Sequence, residues 1–259
     1  EPILNSKKTL ILRKNKGKFI KRCPGTKHFV CCNYFIINNV MGCQIDCSYC
    51  ILESYLDYRA ITIFTNVNDL FNEFGGFIKE RKNFRIGTGE LSDSLALDHI
   101  TSFSQDLSTY LENDFNGFFE FKTKSNNIDN LLTLRPNRKI VIGFSLNTNR
   151  IVEEFEKNSS PLKERIDSAK TLSKYGYSIS IHFDPIILYD ECEKEYKEVI
   201  DLLFKEIKKT DSIVWISMGA FRYSQELKKQ IKANSKSLFA GEFVKSLDGK
   251  YRYFKPQRL

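Results

Sequence analysis

The chain has 259 residues, 41% of them hydrophobic and 13% aromatic, with 13 Gly and 6 Pro. That is enough apolar mass for one ordinary core, and it excludes both a disordered polymer and a disulfide-stapled miniprotein. The net charge of +8 is uneven, with +8 in residues 1–40, −4 in 41–243 and +4 in 244–259. Basic ends on a mildly acidic body suit an anionic polymer such as a nucleic acid, although a merely solubilising surface has the same signature.

Taken in chain order, residues 1–32 read as a basic N-terminal extension packed on the rest, and 33–259 as a single domain. Apolar, β-branched runs predict strands at Tyr34–Val40, Phe84–Gly87, Phe118–Thr123, Ile140–Leu146, Ser178–Phe183 and Ile213–Met218. Helical periodicity places helices near Asn68–Arg81, Ile100–Glu112, Ile128–Leu134, Pro161–Tyr175, Glu191–Lys208 and Ser224–Asn234. Pro161 suits a helix's first turn and Gly176 its stop. Phe243–Phe254 alternates on either side of Asp248-Gly249, which predicts a β-hairpin. Six β/α units without a seventh or eighth define an α/β fold, an incomplete (β/α)6 barrel with a C-terminal hairpin. The longest apolar runs, Lys139–Phe144 and Ser212–Ile216, fall far short of the roughly 20 residues of a membrane span. Residues 1–25 lack the apolar block of a secretory leader, so a cytoplasmic protein with no membrane partner is expected.

Six of the seven cysteines fall between Cys23 and Cys50. In a reducing compartment such clustering points to a metal centre, where several thiolates must converge. Cys43, Cys47 and Cys50 form a C-x3-C-x2-C loop directly after the first predicted strand, at the end where parallel α/β folds carry their sites. Three thiolates can hold three irons of a [4Fe–4S] cluster and leave the fourth open to an outside ligand. The competing readings are a zinc site completed by Cys31, Cys32 or a histidine, and ordinary buried thiols. Zinc pairs usually come as two C-x2-C knuckles, and only one stands here, so the cluster is favoured. Cys23, Cys31 and Cys32 read as buried thiols before a second cluster, because adjacent cysteines are poorly shaped to chelate one metal.

This spacing resembles that of the radical S-adenosylmethionine (SAM) superfamily. From Cys23 onward the chain resembles one branch of it, the spore photoproduct lyase family. The likeness rests on Cys23-Pro-Gly-Thr26, Gly42 to Leu52, Gly87 to Asp98, Thr123-Lys124, Ser145 to Thr148, His182 to Pro185, Gly219 to Tyr223, and Gly241-Glu242 with Leu247 to Gly249. The resemblance implies that Cys43, Cys47 and Cys50 ligate the cluster and that Tyr49 sits by the adenine of SAM. It further implies that Gly89 and Glu90 end the glycine-rich motif facing the methionine amino group, with Lys124, Ser145, Asn147 and His182 as further SAM-side contacts. Arg222 and Tyr223 look like the substrate-side pair, and a guanidinium beside an aromatic suits a phosphate or an extruded base. Glu90, Tyr49, Arg222 and Tyr223 are thus the candidate catalytic residues. The implied reaction is cleavage of SAM by the reduced cluster to a 5′-deoxyadenosyl radical, which takes a hydrogen atom from a thymine photoproduct in DNA. An electron donor such as flavodoxin or ferredoxin is implied as partner. The alternatives are a radical SAM enzyme for RNA, a small molecule or a peptide, and a non-catalytic nucleic-acid-binding protein. The chain departs from the pattern twice. By alignment Glu90 stands where the lyases have a cysteine hydrogen donor, and Ile51 where they have a tyrosine after the last cluster cysteine.

Overall fold

The computed structural model describes residues 6–23, 33–111, 115–229, 238 and 241–254. Its first strands are β1 (Leu10–Arg13), β2 (Ile20–Arg22), β3 (Tyr34–Ile37), β4 (Val40–Met41), β5 (Asp46–Cys47) and β6 (Ile61–Phe64). Helices and strands then alternate: α1 (Val67–Glu80), β7 (Phe84–Thr88), α2 (Asp98–Thr101), α3 (Phe103–Tyr110), β8 (Gly117–Thr123), α4 (Asp129–Leu132) and β9 (Ile140–Ser145). After these come α5 (Asn149–Phe155), β10 (Glu156–Lys157), α6 (Leu162–Tyr175), β11 (Ser178–Ile186), α7 (Cys192–Glu206) and β12 (Ile213–Ala220). The last described elements are β13 (Arg222–Tyr223), α8 (Gln225–Lys229) and the hairpin β14 (Glu242–Lys245) and β15 (Tyr251–Phe254).

The main sheet has the order β12-β11-β9-β8-β7-β3-β2. Six of its strands run parallel and β2 lies antiparallel on the β3 edge. Among the described residues no pairing joins the two ends, so the barrel is open, as the six-unit pattern predicts. Alternation of side chains sorts each strand. On β8, Phe119 and Phe121 are fully buried in the main core, while Glu120 and Lys122 take the opposite face, toward the hollow. The helices cover the outside with apolar residues three or four apart: Leu70 and Phe74 on α1, Ile166, Ala169 and Leu172 on α6, Val199 and Leu203 on α7. Aromatic rings fill the gaps, as where Phe71 stacks on Tyr110 at 5.2 Å.

Several boundaries differ from the sequence reading for local reasons. The first strand stops at Ile37, and Val40–Met41 turns away to pair with β6 in a separate sheet of order β1-β6-β4. The helix expected over Ile100–Glu112 breaks in two because Ser102 adopts a left-handed backbone, φ 50°. Pro161 sits one residue before α6 as its cap, and Gly176 ends that helix at φ 123°. Helix α5 lies where the sequence pattern predicts no helix; Thr148 caps it, its hydroxyl accepting from Ile151 N at 3.3 Å. The last predicted helix is described only to Lys229. Among the described residues no helix is long and apolar enough to cross a membrane.

Candidate active site

The C-terminal ends of the parallel strands open on a cavity of about 620 Å³, within the roughly 300–1,000 Å³ of small-molecule sites. The loop carrying the three cysteines forms one wall. Gly42 starts it with φ 88°, and a Cβ there would lie 3.0 Å from the Ala60 carbonyl oxygen, so the turn requires glycine. The loop is then tied down by its backbone. Gly42 N donates to Leu91 O at 2.9 Å, Ser48 N donates to Phe155 O at 2.7 Å, and β5 pairs antiparallel with β10, Cys47 opposite Glu156.

Cys43, Cys47 and Cys50 are free thiols that all line the cavity. Burial, and then the charges of Asp93 and Cys50, push the Cys43 thiol up to about 12. Burial likewise lifts Cys47 well above the ordinary thiol range and raises Cys50. A bound iron displaces such protons through its own charge. Among the described residues no three His, Cys, Asp or Glu side chains meet around a single-ion site. Three sulfurs that hold separate irons of a cube need only face a common volume, and all three thiols line this one cavity. The donor set therefore fits the cluster. Cys31 and Cys32 lie outside the described residues, and Cys23 is a partly buried thiol whose backbone N donates to Tyr34 O at 3.0 Å.

The opposite wall follows β7, β8 and β9. Gly89 turns at φ 104°, where a Cβ would meet Ser94 Oγ at 3.0 Å and Lys122 Cβ at 3.2 Å. The next residue, Glu90, lies exposed on the cavity wall; partial burial lifts its carboxyl above the usual range against the pull of Asn38 and Lys21. Asp93 fastens this turn to β8 by accepting from Leu95 N, Ala96 N, the Thr123 hydroxyl and Lys124 N at 2.7–3.0 Å. Lys122, Lys124 and Ser145 line the same cavity. Behind them lies Glu156, fully buried, which accepts the Tyr49 hydroxyl, stands 3.6 Å from Lys124 Nζ and pairs with Arg165 at 2.7 Å. Burial opposes the Glu156 charge, but Lys124 and Arg165 hold its carboxyl below the usual range.

Of the residues picked from sequence, Cys43, Cys47, Tyr49, Cys50, Gly89, Glu90, Lys124, Ser145 and Arg222 share this cavity. Three do not line it. Asn147 is buried, donating to Pro185 O at 3.1 Å and accepting from the Tyr196 hydroxyl at 2.6 Å. Tyr223 is 1% exposed and stacks on Tyr253 at 5.0 Å, so it braces the hairpin rather than facing the hollow. His182 lies deeper in the barrel, with Nε2 2.7 Å from Glu120 Oε1. Ser180 and Tyr34 donate to the same carboxylate at 2.6 and 3.0 Å.

Burial opposes the Glu120 charge as well, yet His182, Ser180 and Lys122 together carry its carboxyl down to about 2. A depressed carboxylate stabilises the fold above its unfolded value and loses that contribution as pH falls toward its folded one. Acidification from about pH 4.3 to about pH 2 should therefore remove on the order of 3 kcal/mol. Urea midpoints of wild type and Glu120→Gln measured from about pH 6 to about pH 3 check this. The variant should start less stable and decline less, and parallel curves would refute the assignment.

An open parallel barrel with three thiols from a C-x3-C-x2-C loop at its mouth defines a radical SAM fold. Within that class the family model of spore photoproduct lyase matches residues 5–252, and the chain belongs to the spore photoproduct lyase family. It is 29% identical over 164 residues to the spore photoproduct lyase of Clostridium acetobutylicum, covering 62% of this chain and 49% of that protein. Against the Bacillus subtilis enzyme it is 28% identical over 204 residues, covering 77% and 57%. The chain thus spans about half the length of these relatives. Two solved structures share its fold at TM-score 0.83 and 22% identity. One is a spore photoproduct lyase mutant with dinucleoside spore photoproduct, covering 97% of this chain and 75% of that one. The other is a double mutant with bound AdoMet and the same dinucleoside, at 98% and 76%.

Proposed function

We propose that this chain is a radical SAM enzyme acting on a cross-linked thymine pair in DNA. In this reading Cys43, Cys47 and Cys50 hold a [4Fe–4S] cluster, and Tyr49, Gly89, Lys124 and Ser145 hold SAM. The observation that carries it is that all seven residues line one cavity. Relatives of solved structure that hold dinucleoside spore photoproduct, one of them with AdoMet as well, supply the substrate class. Family membership favours this over a peptide, small-molecule or purely binding role. When bound, cluster and SAM together supply hydrogen-atom abstraction from the substrate. The chain's own part is to bind, orient and exclude water. Lys124 offers a cation to a carboxylate, the Gly89 backbone permits close approach, and the exposed Arg222 presents a planar fork to a phosphate.

Residues 33–259 act in this reading as one domain and 1–32 as its basic extension. The hairpin, with Phe243, Val244, Leu247 and Tyr251 at least 40% exposed, meets the nucleic acid. The reductant is a small flavodoxin- or ferredoxin-type protein. It docks over a second cavity of about 210 Å³ that shares Cys43 and Leu52 with the first, where Lys7 and Arg59 are paired with Asp46 and Glu53. Anaerobic incubation with reductant, SAM and an oligonucleotide carrying one spore photoproduct tests the proposal. Formation of 5′-deoxyadenosine dependent on the damaged strand, with salt-sensitive binding, is expected. Equal 5′-deoxyadenosine with and without damaged DNA would refute the substrate, and none at all would refute the chemistry.

A further inference from the structure

Beneath the cavity wall lies a buried ion pair that no motif assigns. Glu156 is the first residue of β10 and Arg165 sits in the first turn of α6; both side chains are 0% exposed, with Arg165 Nη2 2.7 Å from Glu156 Oε2. Neither residue lines the cavity. Every other polar reach of the pair goes to a segment that does, or to the loop that anchors it. Glu156 Oε1 accepts the hydroxyl of Tyr49, which stands between two cluster cysteines, and lies 3.6 Å from Lys124 Nζ at the end of β8. Arg165 Nη1 donates to the Ser145 carbonyl, at the end of β9, at 2.9 Å. Its other donors fix the loop before α6, through Ser160 O at 2.7 Å and Ser159 Oγ at 2.6 Å. The Glu156 backbone faces that of Cys47 in the β5–β10 bridge.

Two charges buried together gain little net stability over well-packed apolar side chains, because each must be stripped of water. What this pair does achieve is geometric. One guanidinium–carboxylate unit sets the azimuth of Tyr49, the reach of Lys124 and the level of Ser145 at once, and does so from the strand that pairs with a cluster cysteine. We propose that Glu156 and Arg165 are positioning residues that hold the three-cysteine loop in register with the SAM-binding half of the cavity. This rests on the reading of the cavity given under Proposed function. The charge matters as well as the shape. Glu156 offsets two cations, the fully buried Arg165 at 2.7 Å and the cavity-lining Lys124 at 3.6 Å, so neutralising it leaves both without their shared counter-charge.

The test uses the full chain reconstituted anaerobically with iron and sulfide, in wild type, Glu156→Gln, Arg165→Lys and, as a control ion pair elsewhere, Lys170→Met (Lys170 Nζ is 2.7 Å from Glu206). Three readouts are taken: iron content, the dissociation constant for SAM, and the change SAM produces in the electron paramagnetic resonance of the reduced cluster. Glu156→Gln should retain about four irons but bind SAM about 10- to 100-fold more weakly, the scale of losing an outer-shell partner, with the spectral change lost or diminished. Arg165→Lys, which keeps charge but not the fork, should fall between, and Lys170→Met should match wild type. Glu156→Gln with wild-type affinity and spectral response overturns the proposal, whatever its melting temperature. If Glu156→Gln does not fold, Tyr49→Phe, which deletes only the hydroxyl that Glu156 accepts, takes its place under the same criteria. A wild-type chain holding four irons yet showing no response to SAM overturns the cofactor reading and the proposal with it. A response equal in wild type and variant overturns the proposal alone.

Discussion

Replacing Cys43, Cys47 or Cys50 by alanine is expected to leave a folded chain that forms 5′-deoxyadenosine on the order of a thousandfold more slowly or not at all, since each removes an indispensable group rather than a contributor. The fold survives because these thiols belong to a small cluster with Ile45, Tyr49 and Phe155, apart from the core between sheet and helices. Loss of one sulfur from a cysteine costs about 1 kcal/mol there. Cys192→Ala is the matched control, a buried thiol at the start of α7 that does not line the cavity. Iron, sulfide and 5′-deoxyadenosine measured on all four variants decide the matter. A single loop variant with full iron and turnover would sink the assignment, as would a Cys192 variant that lost both.

Glu90→Cys is expected to convert a chain that starts the reaction into one that finishes it cleanly. A carboxyl O–H does not readily surrender a hydrogen atom to a carbon radical, whereas a thiol S–H does. Glu90 lines the cavity next to the tight Gly89 turn, at the place where the resemblance read from the sequence puts the lyases' cysteine. Ile51, 43% exposed, stands where they have a tyrosine. Wild type should therefore consume SAM while repaired thymine remains the minor product. The cysteine variant should raise the thymine share several-fold, and Glu90→Cys with Ile51→Tyr further still. Because Glu90 is exposed, stability should move by no more than about 0.5 kcal/mol. Product analysis per 5′-deoxyadenosine checks this. Wild type returning one thymine pair per turnover would show that another donor already serves.

The parallel strands were legible because each is a short run rich in β-branched and aromatic residues; β9 and the first six residues of β11 are buried on both faces, whereas β12 alternates, with Val214, Ile216 and Met218 exposed. The cysteine loop was legible because ligand spacing is local. What sequence reading missed is non-local or hinges on single backbone angles. His182 stands one residue from the end of its predicted strand, but β11 runs on to Ile186, so the ring lies within the strand beside Glu120, 62 residues away in sequence. Glu156 and Arg165 sit in no motif; the bridge between β5 and β10 brings Glu156 beneath Tyr49, and Arg165 reaches it from α6. Lys122 could have been found, since it stands two residues before Lys124 and alternation puts both toward the hollow. Nothing in Ser102 itself announces the left-handed angle that splits the third predicted helix.

The hairpin and the iron loop are joined by a train of rings. Tyr253 on β15 lies against Tyr223 at 5.0 Å, Tyr223 against Phe221 at 5.2 Å, and Phe221 edge-on to Tyr49 at 5.9 Å. Close-packed aromatics transmit displacement rather than absorb it. A shift of the outer ribbon is therefore passed along to the tyrosine between Cys47 and Cys50, so the far rim and the floor of the hollow are mechanically one piece.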